Sequence, residues 1–148
     1  MNLNIPYMET DNKLLNDAYR IAAGDIVGNI VYYQNGLLTE EKPCMIAGLD
    51  YNTPWTRDTA INIWNALSIL SPEVSKNTLL AVLEEEEGSI YIGGQYWDSI
   101  IWMIGAREYC RFHKDDNFYR LAFKAGRNSV HRLEEDEFDE EDGLFRGP

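Results

Sequence analysis

Trp55, Arg57 and Asp58 stand at the start of a long apolar run, and their side chains together suit a sugar ring. An indole covers the apolar C–H face of the ring, while a guanidinium and a carboxylate make charge-assisted hydrogen bonds to neighbouring hydroxyls. Gln95, Tyr96, Trp97 and Asp98 repeat that composition, with Asp98 40 positions after Asp58. A purely structural explanation competes for each cluster: a carboxylate in the first helical turn complements the helix dipole, and an adjacent arginine pairs with it. Two such clusters at the same end of comparable helices favour one pocket, rich in aromatics and carboxylates, for hydroxyl-dense ligands.

Other chemistries are poorly supplied. Cys44 and Cys110 lie 66 positions apart without C-x-x-C spacing, and His113 and His131 form no H-x-x-x-H pair, so no metal and no cofactor is expected. Two lone thiols in a mainly helical chain are expected to be reduced and buried. Residues 134–142 hold eight carboxylates in nine positions and supply two thirds of the net charge of −12. Adjacent acids in water tune no single pKa, so this run reads as a solvated helix end and loop. It also lacks the D-x-D-x-D-G spacing of a calcium loop.

The rest of the chain is mildly acidic with scattered Lys and Arg, which disfavours nucleic acid as a partner. Residues 1–6 lack a charged segment followed by an apolar one, and no apolar stretch approaches the ~18 residues of a membrane span. The sequence as written is that of a soluble, cytoplasmic protein with no membrane partner. A start internal to a longer gene product would leave an extracytoplasmic location open.

The elements that must position these residues follow from periodicity. Leu14, Leu15, Ala18, Ile21 and Ala22 recur at helical spacing behind Asp11 or Asn12 as a cap, predicting an amphipathic helix over 12–32 that Asn35-Gly36 ends. Residues 37–54, with two prolines and Gly48, read as loop with a short strand. Residues 55–70 are apolar on nearly every side, as in a helix buried all round, with Trp64 in the core. Ser71-Pro72-Glu73 supplies a cap, a proline at the first helical position and an acid, starting a helix that runs to Glu84–Glu87 and Gly88. After the Gly93-Gly94-Gln95-Tyr96 loop, residues 97–106 begin a second helix apolar almost all round, with Trp102 and Met103 as core. An amphipathic helix capped near Asp115 or Asp116 follows, with Phe118, Leu121, Ala122, Ala125, Ser129 and Leu133 on one face.

This alternation of fully apolar and amphipathic helices predicts an all-α chain of about five helices in one domain, 1–148, ending in an acidic tail over 134–148. Helices apolar on all sides need cover on all sides, as the inner helices of an α/α toroid have, and the 40-residue offset matches one helical hairpin with its loops.

The segment Asn52-Thr53-Pro54-Trp55-Thr56-Arg57-Asp58-Thr59-Ala60 resembles the W-T-R-D-[ST] segment of glucoamylases, and Gly93-Gly94-Gln95-Tyr96-Trp97-Asp98-Ser99 resembles the Y-W-D-S signature of trehalases. Both belong to the six-hairpin glycosidases, whose fold is an (α/α)6 barrel. The resemblance covers roughly residues 50–99 and lacks the Pro and Arg that precede the trehalase signature. It implies a glycoside hydrolase acting on α-linked glucosides by an inverting two-carboxylate mechanism. Arg57 and Asp58 would then bind hydroxyls of the sugar nearest the cleaved bond, and Trp55, Gln95, Trp97 and Asp98 would line the pocket. Twelve helices are needed for such a barrel, so the chain is expected to be its N-terminal portion. The general acid would lie beyond Pro148, and the partners would be an oligosaccharide or glycoside and the remainder of the barrel or a second copy of the chain. The competing reading is a non-catalytic acidic helical interaction module, or a pseudo-enzyme fragment, whose apolar helices dock on a partner.

Overall fold

A computed structural model describes residues 5–48, 50–95 and 97–146. The described chain is largely helical, with three two-stranded antiparallel ribbons. Asn12 caps α1 (Lys13–Gly28) by accepting from the N–H groups of Leu14 at 3.0 Å and Leu15 at 3.3 Å. The expected extension of this helix to residue 32 is not found. It stops at Gly28, and the β-branched and aromatic run of β1 (Ile30–Tyr33) pairs instead with β2 (Lys42–Met45). β2 is the short strand expected within 37–54, and it carries the buried Cys44 and Met45 into the body.

Residues 56–70 are helical throughout, as α2 (Thr56–Asn62), a π-helical segment (Ile63–Leu67) and α3 (Ser68–Leu70). α4 (Pro72–Ala81) begins at the expected proline, but the Ser71 side chain makes no capping bond; its carbonyl accepts from Ser75 N–H at 3.0 Å. α4 was expected to run to Gly88, and the structure corrects this. Leu83–Glu86 is a strand, β3, hydrogen-bonded to β4 (Ser89–Ile92), because Glu87 and Gly88 both take positive φ, the geometry of a tight hairpin turn. Burying the facing pair Leu83 and Ile92 at the open end of the ribbon favours the strand over further helical turns. An all-α description is thus too narrow.

α5 (Asp98–His113) is the second helix expected to begin with residues 97–106, and it runs on to His113, with Lys114 in the left-handed conformation closing it. α6 (Asp116–Glu137) starts as expected, since the Asp115 carboxylate accepts from Phe118 N–H at 3.0 Å, and Phe118, Ala122, Ala125, Ser129 and Leu133 are buried on one face. The acidic run is helical to Glu137 and then enters a third ribbon, β5 (Phe138–Asp139) with β6 (Leu144–Phe145), rather than a plain loop.

The helix over 56–70 and α5 lie side by side and parallel. Arg57 meets Asp98 at one end, Gly105 meets Ala60 midway, and His113 Nε2 lies 2.5 Å from the Ser68 carbonyl at the other end. A Cβ at position 105 would stand 2.8 Å from Ala60 Cα, so only glycine permits this approach. The core sits between these helices, α4 and α6, around Ile63, Leu67, Val74, Leu79, Trp102 and Phe118, with the Trp102 indole donating to the Leu79 carbonyl at 3.3 Å.

Two expectations about burial need correction. Neither parallel helix is covered on all sides: Ile61, Ile69, Ile100 and Ile104 are exposed. Trp64, expected in the core, is 54% exposed, because the face on which it stands has no neighbour among the described residues. Trp102 is fully buried as expected and Met103 is partly buried against the core. Both cysteines are free; burial pushes the Cys44 thiol up to about 12 and raises that of Cys110. No helix among the described residues is long and apolar enough to cross a membrane.

Candidate functional site

The two sequence clusters meet at the N-terminal ends of the parallel helices. Trp55 precedes α2 in an extended conformation, which turns the helix so that Thr56 and Arg57 face the Gly93-Gly94 loop. The Thr56 hydroxyl donates to the Gly93 carbonyl at 2.8 Å. Gly94 has φ +107°, and a Cβ there would lie 2.9 Å from Asp98 Oδ2 and 3.0 Å from Thr56 Oγ1, so glycine lets the loop close over both residues. The Gln95 carbonyl then accepts from Asp98 N–H at 2.8 Å, and Gln95 N–H donates to Asp98 Oδ2 at 3.2 Å, fixing the start of α5.

Asp98 is buried, and its other carboxylate oxygen accepts from Arg57 Nη1 at 3.2 Å. This pairing, and not one with Asp58, holds the arginine. The structural explanation of the first cluster pairs Arg57 with its neighbour Asp58; the fold pairs it across 41 positions with the second cluster instead. Burial of Asp98 with a charged partner and a backbone donor meets the requirement that a buried charge be compensated. The Arg57 guanidinium also lies 5.6 Å from the Trp97 ring centroid, held over an indole face.

The resulting cleft has a volume of about 330 Å³ and is lined by Pro54, Trp55, Thr56, Arg57, Glu84, Gly94, Gln95 and Asp98, among others. Trp55 is 46% exposed at its edge, with Tyr51 packed edge-on at 5.3 Å. Of the expected site residues, Trp55, Arg57, Gln95 and Asp98 line the cleft. Trp97, 49% exposed, stands at its margin through its contact with Arg57. Asp58 does not line it and has no hydrogen bond or ion pair among the described residues. Tyr96 lies outside the described residues.

Sequence reasoning missed Glu84 and the neighbouring depression that shares it. This second hollow, about 230 Å³, adds Tyr91, Arg132, Asp136 and Glu137. Arg132 is held there by Glu86 at 2.6 Å and lies 3.5 Å from the centroid of the Tyr91 ring. Glu84 was hidden because four consecutive glutamates before a glycine look like a helix end. The available signal was Glu87-Gly88, a turn dipeptide that a hairpin needs. The acidic run likewise contributes two of its members, Asp136 and Glu137, to a cavity wall rather than to solvent alone.

Chemically, the cleft offers one guanidinium with N–H donors left over from its single ion pair, one buried carboxylate committed to that pair, and one exposed carboxylate. Such a set positions a polar ligand; it contains no evident nucleophile with an adjacent base. Among the described residues no group of three or more His, Cys, Asp or Glu is placed to hold a metal ion. The chain matches no protein-family model, no curated protein and no solved structure.

Proposed function

We propose that the cleft is the sugar-binding mouth of an (α/α)6 glycosidase-like domain, to which this chain contributes two inner–outer helical hairpins and substrate contacts for α-linked glucosides. The supporting observation is the Arg57–Asp98 pair, which ties the two motif clusters into one cleft bordered by half-exposed indoles. Arg57 directs its remaining donors to sugar hydroxyls, Trp55 covers a C–H face, and Asp98 holds the guanidinium in place. Asp58 belongs to the same reading through the motif resemblance alone, as a hydroxyl-binding residue, since it lies outside the cleft lining. The acid and base of an inverting hydrolysis are assigned to other parts of the barrel.

Titration calorimetry with maltose and with a non-sugar polyol tests this reading. Saturable binding of maltose alone, weakened about tenfold or more in Arg57→Ala, is expected, since a charge-assisted bond is worth roughly 1.5–3 kcal/mol. Equal heats for both compounds, or affinity unchanged in the variant, sinks it.

A second reading has its own support. Ile61, Trp64, Ile69, Ile100 and Ile104 leave an exposed apolar face along the parallel helices, as an interaction module would present to a partner. Retention of sugar binding by Trp64→Ser separates the two, because Trp64 lies outside the cleft.

A further inference from the structure

The Arg57 cleft and the hollow beside it share one edge, formed by Glu84, Gly93, Gly94 and Gln95. Two of these are glycines, so the side chains common to both walls are the Glu84 carboxylate and the Gln95 amide. Neither side chain has a hydrogen bond or ion pair among the described residues. At about 230 Å³ the second hollow is smaller than the roughly 300 Å³ at which ligand sites begin, so it extends the cleft rather than forming a separate site.

Two carboxylates stand against this edge, and they differ in what they have left to offer. A Cβ at Gly93 would lie 2.5 Å from Glu84 Oε1, and one at Gly94 would lie 2.9 Å from Asp98 Oδ2, so consecutive glycines make room for one carboxylate each. Asp98 is buried and spent on Arg57 and the Gln95 N–H. Glu84 is exposed, and strand alternation puts it on the same face of β3 as Glu86, which holds Arg132. Its two oxygens are unspent acceptors, and a carboxylate can bridge adjacent hydroxyls.

Beyond Glu84, the hollow is walled by Asp136 and Glu137, while its one guanidinium, Arg132, is already matched by Glu86 and the Tyr91 ring. Carboxylates therefore outnumber the cation there, which suits hydroxyl donors and repels an anionic group.

We propose, resting on the sugar reading of the Arg57 cleft, that Glu84 is a ligand-binding residue joining the two hollows into one groove for two consecutive, uncharged sugar units. Arg57 donates to the unit in the cleft, and Glu84 accepts from hydroxyls of the unit that crosses the edge. The contact comes from the β3–β4 ribbon and belongs to neither sequence motif.

Titration calorimetry comparing maltose with methyl α-glucoside, which offers a single ring, tests the proposal. Maltose is expected to bind the unaltered chain about tenfold or more tightly, and Glu84→Ala to bring the two sugars within about threefold, because bonds to a charged acceptor are lost. Asp136→Ala, which alters the second hollow alone, weakens maltose and leaves methyl α-glucoside unchanged. Glu85→Ala removes the same charge from a neighbour that lines neither hollow, and changes neither affinity. All three positions are exposed and make no hydrogen bond through their side chains among the described residues, so unchanged circular dichroism is expected. Equal affinity for the two sugars, a maltose advantage that survives Glu84→Ala, or the same loss in Glu85→Ala overturns the proposal, with Arg57→Ala still weakening both sugars. Failure of the underlying sugar reading looks different: neither sugar binds the unaltered chain, and the role of Glu84 falls with it.

Discussion

α1 and α5 are both 16 residues long, yet the first buries none of its residues and the second buries seven. Local chemistry does not explain the contrast. α1 is the better capped of the two: Asn12 accepts two backbone bonds at its N-terminus, and the Thr10 and Asn16 side chains brace the preceding turn. α5 has no side-chain cap and places Ile100 and Ile104 in solvent, but Trp102, Ala106 and Tyr109 on its other side meet α4, α6 and the helix over 56–70. Helix formation answers to caps and spacing within a turn or two, whereas burial answers to what the rest of the chain places alongside.

The contrast can be broken most forcefully at Trp102. Trp102→Ala removes a fully buried indole and its bond to Leu79, and a loss of about 3–5 kcal/mol is expected in urea unfolding followed by circular dichroism. A loss below about 1 kcal/mol would show that α5 is no better supported than α1. Gly105→Val comes next. Its side chain meets the Ala60 backbone, which cannot yield as a flexible side chain would, so the parallel helices must separate at a cost of about 1–3 kcal/mol.

Acid pH sharpens the comparison at the α5–α6 junction. The Lys76 ammonium, 2.6 Å away, and the Phe118 N–H hold the Asp115 carboxyl below its ordinary value. The folded chain therefore binds this proton less readily than the unfolded chain. The stabilisation is present above the ordinary carboxylate range and is lost as pH falls through the lowered value. Melting temperature is expected to fall along this acid limb, and Asp115→Asn, costing about 1 kcal/mol at neutral pH through cap and ion pair, should flatten it. An identical acid limb in the variant would assign the loss to other carboxylates. The smallest effect belongs to α1: Leu14→Ala, at a side chain 81% exposed, should shift stability by under about 0.5 kcal/mol in urea unfolding.

The site divides in the same way. Trp55, Arg57, Gln95 and Asp98 were legible as a set because both clusters open apolar helical runs at one hairpin's separation, and they do line one cleft. Glu84 was not legible, because its strand exists only through pairing with β4. Asp58 is a neighbour of Arg57 in sequence alone: Trp55, Thr56 and Arg57 line the cleft and Arg57 pairs with Asp98, while Asp58 lies outside the lining.

The sequence by itself determined that helices start at Asp11 or Asn12, at Pro72 and at Asp115 or Asp116, the apolar runs that carry Trp102 and Phe118 inward, and the offset between the two motifs. Each of these is a short-range matter of capping, backbone restriction or side-chain period. Tertiary structure decided that Arg57 pairs with Asp98, that Leu83–Glu86 leaves the helix to form a ribbon, and that Trp64 faces solvent. These depend on contacts between residues far apart in the chain, where the free energy of burying one face or compensating one charge outweighs local preference.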